Sequence, residues 1–134
     1  CMSVGRGTDT PYQVVGHPDL KNAAYTFTPA SRRGAKHPPY EGQVCHGHDL
    51  HEFATMYVRD YKGLYLFWLL GCYKDMDNKD QFFNSFFEKL AGTKTLRQQV
   101  IDGKTEDQIR ASWRPGIAKF KVIRKKYLLY EDFE

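Results

Sequence analysis

The spacing of apolar positions changes several times along the chain, and each change marks an element. Tyr25-Thr26-Phe27-Thr28-Pro29 alternates aromatic and β-branched residues with a period near two, which predicts a short strand that Pro29 ends. Gln43 to Leu50 predicts a second strand, entered through Gly42 and carrying Val44, Cys45 and Leu50. The stretch on to Met56 and Val58 reads as its extension or repetition. From Asp60 to Tyr73 the positions Tyr61, Leu64, Tyr65, Trp68, Leu69 and Cys72 recur at helical spacing, so one helix face should pack on the sheet. Gly63 and Gly71 weaken that helix. Phe82, Phe83, Phe86 and Phe87 fall in two pairs, a spacing that turns one aromatic helix face toward a core.

Capping signals divide the remainder. Thr10, Pro11 and Gly16 suit the cap, the first position and the left-handed end of a compact helical turn. Thr95 with Gln98, and Thr105 with Gln108, are start signals of the capping-box type, so each should open a short helix, with Gly103 ending the first. A last helix is expected from Pro115, with Ile117, Phe120, Ile123 and Tyr127 on an inward stripe and Trp113 as an anchor before it. Ser31 to Tyr40, with Arg32, Arg33, Gly34, Lys36, Pro38 and Pro39, reads as an exposed loop. Strands followed by several helices predict an α+β fold: a small mixed or antiparallel sheet packed by helices in a single compact domain.

Composition narrows the function classes. At 134 residues the chain is one domain in size, and its 41% hydrophobic content is globular. The longest apolar stretch, Leu64 to Cys72, is too short to span a bilayer, so no membrane span is expected. The net charge of +4 implies no nucleic-acid partner, and Arg124-Lys125-Lys126 reads as a solvated helix end that favours the helix dipole. Cys1, Cys45 and Cys72 cannot all pair within the chain and lack metal or redox spacing; Cys45 and Cys72 read as buried small hydrophobes.

Two segments carry candidate chemistry. In Ser3-Val4-Gly5-Arg6-Gly7-Thr8, glycines allow close approach of a backbone to a ligand, and Arg6 can fork onto a carboxylate or phosphate. Composition alone equally describes a tight turn with an exposed arginine. The second segment holds His46, His48 and His51 around Asp49; His46 and His48 would share a strand face, yet the set matches no metal motif, and no metal or cofactor is expected. His48 or Asp49 fits a cleft-lining role better. Gly103-Lys104-Thr105 lacks the upstream glycine of a phosphate loop and is a helix boundary. Acid–base chemistry on carboxyl groups calls for a pair held in contrasting environments. Here only Asp9, Asp49 and Glu52 stand near candidate loops, as assistants without a convincing pair.

The Ser3 to Thr8 run, Cys45 and Gly47, Gly103-Lys104-Thr105, Ala111-Ser112-Trp113 and the run from Arg124 to Tyr130, taken in this order, resemble the C-terminal domain of the NamZ-type exo-β-N-acetylmuramidases. The resemblance covers nearly the whole chain. It implies that residues 1–134 are the substrate-cleft domain of a two-domain bacterial glycoside hydrolase. The Rossmann-like domain that precedes it in the family, and that is expected to hold the catalytic acid, is not in this sequence. It also implies peptidoglycan fragments ending in N-acetylmuramic acid as substrate, a periplasmic or secreted full-length protein, and little activity of this chain by itself. Ser3, Gly5, Arg6, Gly7, Thr8, His48 and Asp49 are then the candidate substrate-binding residues, with Arg6 facing the lactyl carboxylate of the sugar. A non-catalytic glycan- or anion-binding module and a structural domain supporting its neighbour are the competing readings.

Overall fold

The structure, a computed structural model, describes residues 2–61 and 63–132. Its class is α+β, as expected: a three-stranded antiparallel sheet with several helices. The chain forms two compact units, residues 1–92 and 93–134.

The first unit is built on β1 (Val14–His17), β2 (Tyr25–Phe27) and β3 (Cys45–Asp49), in the order β1-β3-β2. The strands expected at Tyr25 and Gln43 are both present. β1 replaces the helical turn expected there, and Gly16 is a strand residue rather than a helix end. The reason is tertiary: Val14 pairs with Asp49, Gly16 with Gly47 and His17 with His46, so β3 imposes extended backbone on a four-residue segment too short to declare a period. Thr10 to Gln13 is still a turn, closed by the Gln13 N–H donating to the Thr10 carbonyl at 3.2 Å.

Val14, Phe27 and Cys45 make one core cluster on this sheet, with Tyr25 and Tyr40 against it. A second core joins Leu20, Cys72, Met76 and Phe82, with Tyr73 and Phe83 alongside. Phe82 and Phe83 thus pack inward as expected, whereas Phe86 is exposed. The continuation of β3 through Met56 and Val58 is not a strand. It is α1 (His51–Tyr61), whose start is fixed by Asp49 Oδ1 accepting the His51 N–H at 2.9 Å. The helix expected from Asp60 is divided between the end of α1 and α2 (Phe67–Asp75), with Gly63 in the break; α3 (Phe87–Ala91) is one turn ended by Gly92.

In the second unit, α4 (Thr95–Ile101) and α5 (Glu106–Arg124) flank Gly103, which takes φ 69°. The box at Thr105 is complete: Thr105 Oγ1 accepts the Gln108 N–H and Gln108 Oε1 accepts the Thr105 N–H. At Thr95 the box does not form; the Thr95 N–H donates to Thr93 Oγ1 instead. α5 is also not short. It runs through Trp113 and Pro115, so the helix expected from Pro115 is its second half. Leu96, Gln99, Val100 and Ile109 are buried here, while Ile117, Phe120, Ile123 and Tyr127 are exposed. Length explains the miss: seven residues of α4 span about 10 Å and can cover only the first turns of a 19-residue partner about 28 Å long. Among the described residues no helix is long and apolar enough to cross a membrane.

The tightest constraint is at the central strand. A Cβ on Gly47 would lie 1.9 Å from the Val15 carbonyl oxygen and 2.6 Å from Gly16 Cα, both backbone atoms. Gly47→Ala should therefore separate β1 from β3 and cost about 3 kcal/mol or more, measured by urea unfolding. A loss under about 1 kcal/mol would show that the strands can part without penalty.

Candidate functional site

The glycine-rich loop is an extension of the sheet. The Ser3 N–H donates to the Gly16 carbonyl at 2.8 Å and the Gly16 N–H donates back to the Ser3 carbonyl at 3.0 Å, so the loop is bonded to the outer edge of β1. Ser3 is buried there. Gly5 and Gly7 take φ 75° and 87°, in the left-handed region where side chains are strained. At Gly7 there is also no space: a Cβ would meet the Ala30 carbonyl oxygen at 2.6 Å and Pro38 Cγ at 2.7 Å. Thr8 Oγ1 closes the turn, donating to the Gly5 carbonyl at 2.7 Å and accepting the Thr10 N–H at 3.1 Å. Arg6 is exposed between its two buried flanking glycines.

Arg6, Gly7 and Thr8 line one wall of a cavity of about 280 Å³, and the segment Arg32 to Ala35 lines another, with Pro11 and Tyr12 between them. The Arg6 guanidinium reaches across to the Gly34 carbonyl at 3.3 Å. Its three arginines are not equivalent. Arg32 forks onto the Asp9 carboxylate, and this bond holds the Asp9 carboxyl below its usual range while pushing the Arg32 guanidinium up. Among the described residues no carboxylate forms an ion pair with Arg6 or Arg33. The cavity is therefore lined by two arginines whose charge no described carboxylate pairs, a lining that suits an anion. Sequence reasoning misses Arg33 and Tyr12 as site residues; the Arg32-Arg33-Gly34 run is visible in the sequence, but its place beside Arg6 rests on the Arg6 contact with the Gly34 carbonyl, 28 residues away.

The other candidates lie apart from this wall. Ser3 and Gly5 shape the loop without lining the cavity. His48 packs its ring on Trp68, with centroids 4.8 Å apart. Asp49 lines a second cavity of about 390 Å³ with Thr10, Gln13, His51 and Glu52, while its Oδ1 holds the start of α1. Among the described residues no three His, Cys, Asp or Glu side chains form a group that could hold a metal. Pairing explains part of this: His46 stands opposite His17 and Thr26, and His48 opposite Val15 and against an indole.

The sequence model of the family described as "Exo-beta-N-acetylmuramidase NamZ, C-terminal" matches residues 1–130. The chain belongs to this family. It is 29% identical over 149 residues to the peptidoglycan β-N-acetylmuramidase NamZ of Bacillus subtilis (strain 168), covering 96% of this chain and 34% of that protein. Among solved structures it is similar to a DUF1343 family protein from Bacteroides fragilis NCTC 9343, with a TM-score of 0.90 and 42% identity over 98% of this chain and 37% of that one. The chain spans about a third of the length of either relative.

Within this NamZ C-terminal domain the sheet and α2 carry titratable groups that serve structure. Burial pushes the Cys45 and Cys72 thiols up to about 11, so both are inert thiols at neutral pH. His17, buried at the end of β1, accepts the Asp19 N–H on Nδ1 at 3.0 Å and meets the Tyr40 ring edge-on. Burial lowers its pKa, partly opposed by Asp19. The folded state therefore keeps His17 neutral, while the unfolded chain takes up a proton below about pH 6.5. The resulting stability is complete above that pH and is lost as pH falls through the folded value. Denaturant unfolding at about pH 7.5 and about pH 5.5 should show the wild type losing more stability on acidification than His17→Asn, whose amide oxygen can still accept the Asp19 N–H. Equal losses would remove His17 from the pH response.

Proposed function

We propose that the chain is the substrate-contacting C-terminal domain of a peptidoglycan-degrading exo-β-N-acetylmuramidase, secreted or periplasmic in its full-length form, and that its cationic cavity receives the lactyl carboxylate of a terminal N-acetylmuramic acid. The observation that carries this reading is the pair Arg6 and Arg33 on one cavity whose third guanidinium is already neutralised by Asp9. Support comes from membership of the NamZ C-terminal family and from a relative named for action on peptidoglycan muramic acid. In the longer protein the rest of the chain would complete the cleft and supply the acid for glycosidic cleavage.

The competing reading, an anion- or glycan-binding module without chemistry, uses the same residues and differs only in what the full-length protein does with the bound sugar. In the full-length enzyme, Arg6→Ala should lower kcat/KM on a muramic acid glycoside by about 2 kcal/mol, roughly thirtyfold, because a hydrogen bond to a charged group is removed. Arg6→Lys should recover part of the loss, since an ammonium keeps the charge without the fork. Activity on the matching N-acetylglucosamine glycoside should hardly change. Thermal stability should also hold, because the Arg6 side chain is exposed and bonded only to a loop carbonyl. Equal losses on the two glycosides would overturn the carboxylate assignment.

A further inference from the structure

Two tyrosines, among the described residues, hold backbone in the left-handed region: Tyr12 at φ 66° and Tyr40 at φ 61°. Such a conformation is strained for a residue with a side chain. For Tyr40 packing offsets the strain, because its ring lies against the sheet core and meets His17 at 4.7 Å. For Tyr12 nothing comparable is visible. Its side chain is 71% exposed, and what it does line is the arginine cavity.

The turn around it sharpens the point. Thr10 to Gln13 is closed by a hydrogen bond between its ends, with Pro11 second and a positive φ third, the pattern of a type II turn. Glycine is the residue that such a third position favours, and it would remove the strain at no loss of packing. The Tyr12 N–H donation to the Val4 carbonyl at 2.7 Å is a backbone bond that glycine would also make. A large aromatic ring is thus kept at a position where the fold by itself calls for glycine.

We infer that Tyr12 is the platform on which the pyranose ring of an acidic sugar lies while Arg6 and Arg33 hold its carboxylate, so that the cavity reads an acidic sugar rather than any small carboxylate. This rests on the carboxylate reading of the cavity. An aromatic face offers a broad apolar surface to the C–H side of a sugar ring, and the guanidiniums beside it fix the orientation. The two contacts address different parts of one ligand and can be separated by mutation.

The test is titration of the 134-residue chain with N-acetylmuramic acid, D-lactate and N-acetylglucosamine, followed by amide NMR shifts of the loop, in the wild type, Tyr12→Gly, Tyr12→Phe and Arg6→Ala. Tyr12→Gly is the variant least able to disturb the fold, and its melting temperature should equal or exceed that of the wild type. Its affinity for N-acetylmuramic acid should fall about tenfold, with that for D-lactate unchanged, whereas Tyr12→Phe should bind as the wild type does. Arg6→Ala should weaken both carboxylates and leave N-acetylglucosamine alone. Wild-type affinity in Tyr12→Gly, or an equal loss in Tyr12→Phe, would overturn the platform while leaving the carboxylate site standing. Absence of loop shifts with either carboxylate in the wild type would overturn the site and the platform together.

Discussion

The structure depends on one close approach, the contact of β1 with β3 at the pair Gly16 and Gly47. β3 is the central strand, bonded on both sides, so its partners cannot move outward without breaking a ladder. At Gly47 the neighbouring backbone already occupies the place of a side chain. Phe27, from the far strand, places its ring where a Cβ on Gly16 would stand, 2.7 Å from it. Two residues without side chains thus let a three-stranded sheet close around a small core of Val14, Phe27 and Cys45. An Ala at either place would compete with backbone or with a buried ring.

From that contact the arginine-lined wall follows by short steps. Gly16 turns its N–H and its carbonyl to Ser3, so the outer edge of β1 is met by the glycine-rich loop instead of being left open. Ser3 fixes where the loop starts, and Gly7, bonded through its carbonyl to the Ala30 N–H at 2.9 Å, fixes where it meets the next segment. Between those anchors the backbone has little freedom, and Arg6 is delivered outward to the Gly34 carbonyl, on the cavity that Arg33 also lines. A loop held at both ends by backbone bonds to rigid neighbours positions a guanidinium far better than a free loop could.

What was legible in the sequence divides along physical lines. Tyr25 to Phe27 and Cys45 to Asp49 announced themselves because alternation and a terminating Pro or Gly are local properties, and so did the capping box at Thr105. β1 was hidden because its extended form is imposed by β3, more than twenty residues on in the chain. α1 does carry a local signal, since Asp49 with Glu52 three residues later is a helix-start pattern, but it is masked by apolar residues that also suit a strand. Pro115 was read as a start because prolines favour first turns, yet it sits within α5. In the site, Arg6 was legible from its glycine neighbours. Arg33 and Tyr12 were not, since one depends on a distant loop and the other on a backbone angle.

The fields of the two cavities bear on where acid catalysis can reside. A general acid for glycoside cleavage needs a carboxyl that holds its proton near neutral pH, which calls for burial or a neighbouring negative charge. Asp9 is in the opposite situation: Arg32 drives it toward ionisation. Any carboxyl set beside Arg6 and Arg33 would be driven the same way. A wall suited to gripping a substrate carboxylate is therefore a poor place for the acid that cleaves the bond, because the two tasks require fields of opposite sign. Asp49 is already engaged in structure, accepting the His51 N–H at the start of α1. Chemistry that needs a protonated carboxyl is therefore poorly served beside these guanidiniums, whatever ligand the wall meets.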